Sequence, residues 1–424
     1  MTQTKSTSGA FASVTTLFFA WGFITSLIDP LVAAVKGIFS LSNVEAQLTA
    51  FAFFIAYGLV SIPAAMLVAR LKPVKAIILA IGLMIAACFA ILTASNLDTY
   101  TGVLLGLFVM ASGITVLQVA ANPLAASLGT RERSHFRLTF SQAFNSLGTV
   151  VGPLLGAKLL LENVEIPEGE TLDPAMRDAA LGSIDLSFLI IAAMLAGLLA
   201  FIWWSRRRIS DGAPAPAKAA SFSETLKEVA GSRWALIGGC AIFLYVGAEV
   251  AIGTQMALFL EDDGVWGLSL QQAGYYVSLY WLGAMIGRFA GSALLTRFAA
   301  AHLLALATAS AAALCLFCVV VGGAPSGYAA LSIGLFNSIM FPVIFTLTLE
   351  RSTASAAATS GFLCTAIIGG AIIPVLTGAM ADSYGYAIAF AIPATCYIAL
   401  CAIALLASAD NRRAIATEPV QVGH

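Results

Sequence analysis

Residues Phe11 to Val35 read FASVTTLFFAWGFITSLIDPLVAAV, and Asp29 is the only charged side chain in that run. A helix needs about 20 apolar residues to cross the ~30 Å hydrocarbon core of a bilayer, and this run is long enough. In hydrocarbon only helices and closed barrels satisfy every backbone group, so the run predicts a membrane-spanning helix. An ionised carboxylate at that depth is expensive and needs a water-filled cavity or a partner. Asp29 is therefore the first expected functional residue.

The rest of the chain has the same character. It has 424 residues, 60% hydrophobic and only 10% charged, with a mean hydropathy of +0.93. A water-soluble domain of that balance would expose apolar patches over its whole surface. A net charge of -1, without a basic stripe interleaved with aromatics, excludes nucleic acid as a partner. Twelve apolar runs lie near 11–36, 46–69, 74–95, 99–128, 137–161, 184–205, 233–260, 271–296, 301–321, 326–350, 355–381 and 384–408. The expected fold class is an all-α membrane protein of twelve transmembrane helices. Arg70, Lys72, Lys75, Arg131, Arg133, Arg206, Arg207, Arg208, Arg297, Arg351, Arg412 and Arg413 fall on one side, with mainly Lys36 and Arg177 on the other. That asymmetry places both termini in the cytoplasm and the protein in the inner (plasma) membrane.

The composition changes sharply between Arg206 and Ser232, where three arginines precede Pro214, Pro216 and an Ala/Ser-rich stretch. This divides the chain into a six-helix half at 1–205, a cytoplasmic linker at 206–232, a second half at 233–410 and a tail at 411–424. The halves match. Leu41-Ser42 before Ala46 answers Leu268-Ser269 before Ala273, and Arg70 answers Arg297 at the same offset of 227. Pro123 and Pro153 answer Pro342 and Pro374. Two parallel six-helix repeats indicate a secondary transporter, with its substrate site expected near the midplane between them.

Polar groups at membrane depth suggest what fills that site. Gln118 and Asn122 share one face of the fourth helix, and Gln142 and Asn145 share one face of the fifth. Asn122 and Gln142 each lie ten residues from Glu132 in the intervening loop, or roughly 15 Å deep at 1.5 Å per residue. Four amides near one layer offer donors and acceptors suited to the hydroxyls of a neutral sugar; the competing reading is interhelical glue. Glu249 is a second midplane carboxylate, able to line the site, carry a proton or balance Arg288 on the eighth helix. Arg288 lies deep in its span, where a partner is expected, and a structural role is favoured for it. Asn337 lies five residues before Pro342, which frees a backbone carbonyl and permits bending. Trp281 is a further residue able to stack on a sugar face. Gly283, Gly287 and Gly291 at four-residue spacing point to close helix packing.

Absent motifs narrow the energetics. There is no phosphate-binding Gly-x-x-x-x-Gly-Lys and no nucleophile–base set, so neither ATP hydrolysis nor an enzyme is expected. His135, His302 and His424 all fall outside the predicted bilayer core, and the Cys315/Cys318 pair lies in an apolar helix without neighbouring histidines, so no metal or other cofactor is expected. Energy, if used, must come from an ion gradient acting through a carboxylate.

Several segments resemble the fucose–galactose–glucose:proton symporter family of the major facilitator superfamily. They are Leu17–Phe23, Gln118-Val119-Ala120-Ala121-Asn122-Pro123, Ser141–Gly148, Tyr245–Glu249 and Ile368–Pro374. The resemblance covers nearly the whole chain. It implies monosaccharide uptake by cation symport with alternating access, and it places coupling and substrate binding on Asp29. The fucose branch carries a glutamate where this chain has Gln118, so a glucose- or galactose-like hexose is favoured over fucose. The proton is the favoured coupling ion and Na⁺ the alternative. Rival readings are a fucose or amino-sugar permease, a drug or metabolite exporter on the same scaffold, and a sugar receptor without flux. The partners expected are the sugar and the lipid bilayer, with a functional monomer.

Overall fold

In a computed structural model of the chain, the structure describes residues 2–26, 39, 43–156, 174–213 and 221–417. All regular structure in these residues is helical. Among the described residues, six α-helices precede residue 213: α1 (Thr2–Ser26), α2 (Asn43–Leu71), α3 (Pro73–Asn96), α4 (Tyr100–Ser127), α5 (Ser134–Gly156) and α6 (Pro174–Gly212). A short α7 (Phe222–Ala230) leads into α8 (Arg233–Glu261), α9 (Leu270–Leu294) and α10 (Ala300–Val321). Two broken passes follow: α11 (Gly323–Asn337) with α12 (Met340–Arg351), and α13 (Ala356–Thr365) with α14 (Gly369–Tyr384). The chain ends in α15 (Tyr386–Ala389) and α16 (Ala391–Thr417).

Among the described residues, ten helical stretches are long and apolar enough to cross a membrane. Two more helices, α5 with 23 residues and α9 with 25, match them in length but not in hydropathy. The reason is in their sequences. The α5 helix carries His135, Arg137, Gln142 and Asn145, and α9 carries Gln272, Tyr275, Tyr276 and Arg288. With these two, the described residues are consistent with the twelve passes read from the apolar runs. Large apolar side chains such as Leu105, Leu189, Val320 and Leu405 stand exposed, as expected where lipid is the solvent.

The helices form two compact units. The first holds Met1–Ala235 and Ser352–Ile368; the second holds Leu236–Arg351 and Gly369–His424. In the first unit α1 packs on α5 and α6, α3 on α4 and α6, and α2 on α4 and α13. The α1–α5 seam rests on glycines. A Cβ at Gly22 would collide with the Asn145 carbonyl, and one at Gly148 with the Phe19 carbonyl. Such backbone approach gives helices their van der Waals attraction where lipid tails remove the hydrophobic drive. In the second unit α10 packs on α16 and α11, and α9 on α11. Here Gly283, Gly287 and Gly291 of α9 face Leu335, Ser338 and Ile339.

The stretch read from sequence as a linker is partly structured. The α6 helix continues to Gly212, and residues 222–230 form α7. A reciprocal capping box starts α7: Glu224 N donates to Ser221 Oγ, and Ser221 N donates to Glu224 Oε2 at 2.7 Å. Glu228 of α7 in turn accepts from Ser355 N at 2.9 Å, at the start of α13. Val229, Ala235, Ala354 and Ala358 form one buried cluster, which Phe362 covers.

Candidate substrate and coupling site

Proline chemistry shapes the middle of both units. A proline lacks the N–H that would bond the carbonyl four residues earlier. Pro123 lies inside α4 and leaves the Val119 carbonyl without that partner. Ser360 of α13 fills the vacancy, donating from Oγ at 2.9 Å. In the second unit Pro342 lies just past the α11–α12 break and leaves the Ser338 carbonyl free in the same way. Arg288 donates to it from Nε at 3.0 Å.

The amides cluster around these points. In the first unit Gln142 donates to Asn122 Oδ1 at 3.4 Å, so the depth match read from the hairpin is realised as a contact. Asn122 is fully buried and Gln142 nearly so. Gln118 donates to the Tyr57 hydroxyl at 2.8 Å. Asn145 donates to the Phe18 carbonyl at 3.2 Å, which makes this amide a tie between α5 and α1. Asn122 Nδ2 is buried with no hydrogen-bond partner. The hairpin itself is fixed by Arg137, whose Nε donates to Ala126 O at 3.1 Å, next to the C-terminus of α4 where a cation is favoured.

The second unit repeats the motif. Asn337 lies 219 residues after Gln118, as Pro342 lies 219 after Pro123. Asn337 donates to the Tyr280 hydroxyl at 2.7 Å, just as Gln118 donates to Tyr57. Tyr280 passes the chain on to the Glu249 carbonyl at 3.2 Å, and Tyr245 donates to the Asn337 carbonyl at 3.1 Å. Asn337 Oδ1 and the Tyr397 hydroxyl are buried without a hydrogen-bond partner. Glu249 Oε1 lies 3.7 Å from an Arg288 terminal nitrogen, the pairing that the two deep charges require. That oxygen makes no hydrogen bond. The two side chains keep 13% and 10% exposure, so neither is sealed.

The residues expected from sequence are thus placed as follows. Gln118, Asn122 and Gln142 gather in the first unit, with Asn145 tied to α1; Glu249, Arg288 and Asn337 gather in the second. Trp281 is half-buried, stacked edge-on against Tyr280 at 5.0 Å and packed on Gly253. Asp29 lies outside the described residues. The hydroxyl partners Tyr57, Tyr245, Tyr280 and Ser360 were not singled out as site residues. The signal available was tyrosine at mid-span, because a phenol buried there has to find a hydrogen-bond partner. Among the described residues no group of acidic, histidine and cysteine side chains is arranged to hold a metal.

The model of the Major Facilitator Superfamily matches residues 11–363. The chain belongs to this superfamily. This facilitator is 40% identical over 405 residues to a glucose/galactose transporter of Brucella abortus, covering 94% of each chain. It is 32% identical over 408 residues to the L-fucose-proton symporter of Escherichia coli, covering 93% of this chain and 92% of that one. A crystal structure of the E. coli fucose:proton symporter superposes with a TM-score of 0.84 at 29% identity, covering 95% of this chain and 99% of that one. The facilitator is accordingly a multi-pass membrane protein of two helical units.

Proposed function

We propose that this facilitator takes up a neutral hexose of the glucose/galactose type together with a proton, by alternating access. The observation that carries the reading is the set of mid-helix amides with hydrogen-bonding capacity left over. Asn122 Nδ2 is a donor without an acceptor, and Asn337 Oδ1 faces the Tyr397 hydroxyl with no full hydrogen bond completed. An unmade buried hydrogen bond costs about 1–3 kcal/mol, so such atoms call for a partner that comes and goes. Sugar hydroxyls both donate and accept. The names of the relatives point to the same class of substrate.

In this reading Gln118, Asn122, Gln142, Asn145 and Asn337 supply amide contacts, and Trp281 offers a ring face. Asp29 takes the proton from the outward side, the loaded protein turns inward, and the proton leaves to the cytoplasm. Glu249 shares coupling duty with Asp29, held beside Arg288 so that its charge is balanced when the proton is absent. The transporter sits in the inner membrane with both termini cytoplasmic, working as a monomer.

The test is counterflow in proteoliposomes with a panel of monosaccharides, with and without a pH or Na⁺ gradient. Glucose or galactose should exchange, and a pH gradient should drive accumulation. Asp29→Asn should abolish accumulation while sparing exchange. Uphill uptake by that variant overturns the coupling role; accumulation driven by Na⁺ alone replaces the proton. Absence of any sugar counterflow overturns the substrate class.

A further inference from the structure

A cavity of about 620 Å³ opens in the first unit where the start of α3 meets the end of α6. Lys72, Lys75, Arg206 and Arg207 line it, with Asp211 as the one acidic side chain in its wall. Lys72, Lys75 and Arg207 are exposed, and among the described residues none of the three makes an ion pair. Arg206 is held differently: its guanidinium lies over the Trp203 ring at 4.3 Å. Lys72 keeps a φ of +71°, a backbone state that glycine adopts at lower cost. Pro73 opens α3, so the positive end of that helix borders the same cavity. Four cations against one acid in a concave site is a receptor for an anion.

The rest of the lining says which kind. Pro73, Val74, Ile78 and Trp203 make much of the wall apolar. Leu79 and Leu83 continue the exposed face of α3 one and two turns beyond Lys75, and Phe201 and Trp204 are exposed on α6. Exposed tryptophan at a helix end marks the headgroup level of a membrane protein. A soluble anion would leave this apolar flank in contact with water; a phospholipid covers it with its acyl chains. Basic pockets between helix ends on the cytoplasmic side suit anionic headgroups, and the leaflet assignment rests on the orientation proposed above.

We propose that this cavity binds the phosphate headgroup of an anionic phospholipid of the cytoplasmic leaflet. Lys72, Lys75 and Arg207 contact the phosphate, Arg206 stacked on Trp203 supplies a fixed fourth charge, and Asp211 sets an upper limit on affinity by repulsion.

The experiment uses the full chain, purified in a neutral detergent. Thermal stabilisation and binding are measured with phosphatidylglycerol, with phosphatidylcholine and with inorganic phosphate. Phosphatidylglycerol should bind and stabilise, and the other two should not. Each of Lys72→Gln, Lys75→Gln and Arg207→Gln should weaken that binding about fivefold. Asp211→Asn should strengthen it, a gain that general damage to the fold does not mimic. The charge-keeping variants Lys75→Arg and Arg207→Lys should retain it, which controls for misfolding. Equal stabilisation by phosphatidylcholine, or unchanged binding in the three glutamine variants, overturns the proposal. Equal binding of inorganic phosphate makes the site one for a soluble anion and overturns the lipid assignment. None of these residues belongs to the sugar or coupling set, so hexose counterflow in neutral lipid should be the same in every variant as in the unaltered protein, and the lipid-binding result stands whether or not the transport reading holds.

Discussion

Arg288 donates from Nε to the Ser338 carbonyl at 3.0 Å, the carbonyl that Pro342 deprives of its helical partner. The same guanidinium faces Glu249 at 3.7 Å. One side chain therefore closes a gap in a broken helix and balances a deep carboxylate. The two jobs need different nitrogens, and only the planar fork of arginine offers both at fixed geometry.

Arg288→Ala leaves Glu249 without its counter-charge and should lower stability by about 3 kcal/mol. Glu249→Gln in the same chain should restore part of that loss, because the stranded charge is gone. Thermal melts of the two single variants and the double variant, read as a cycle, measure the coupling. Additive losses would show that the pair does not interact.

Pro342→Ala returns an N–H to residue 342 and lets the helix bond its own Ser338 carbonyl. Stability should rise by about 1 kcal/mol, the worth of one regained bond. Counterflow should fall, since the break between α11 and α12 is the place where backbone angles can change. Unchanged flux would mean that the break has no part in transport.

Ser360→Ala removes the donor to Val119 O and should destabilise the protein by about 1–3 kcal/mol, leaving a buried carbonyl unsatisfied. In a Pro123→Ala background that carbonyl regains its helical N–H, and the loss at Ser360 should shrink. Equal losses in both backgrounds would refute the vacancy argument.

Gly148→Ala drives a methyl group into the Phe19 carbonyl, a backbone atom that cannot move aside. Overpacking of this kind costs about 1–3 kcal/mol. Gly182→Ala, on α6 with open space around it, serves as the control and should leave the melting temperature unchanged or slightly raised.

Much of this architecture was legible in the sequence because lipid imposes a simple rule: about 20 apolar residues for each crossing. Deep charges were equally readable, since Arg288 in hydrocarbon demands a partner and Glu249 stood within reach. The depth match of Asn122 and Gln142 followed from counting residues to a loop. The hydroxyl partners were harder. Tyr57 and Tyr280 look like ordinary apolar membrane residues until a neighbouring helix supplies an amide. Ser360 is one small residue among many, and its bond depends on a proline distant in sequence. The α7 helix lies inside the stretch read as a linker; its Ser221-x-x-Glu224 cap follows a Pro/Ala-rich run that points away from a helix.

The α13 segment lies in the 233–410 stretch that the sequence predicts as the second half, yet Ser352–Ile368 packs with the first unit. Cutting the gene between residues 206 and 232 would therefore not yield two self-sufficient pieces. The leading fragment would lack the side chains that cover α2 and satisfy Val119, and the trailing fragment would carry an orphan helix with no seat of its own. Co-expressed fragments should assemble only if that helix is reclaimed across the cut, which makes complementation between the pieces a direct gauge of how much of the fold α13 holds together.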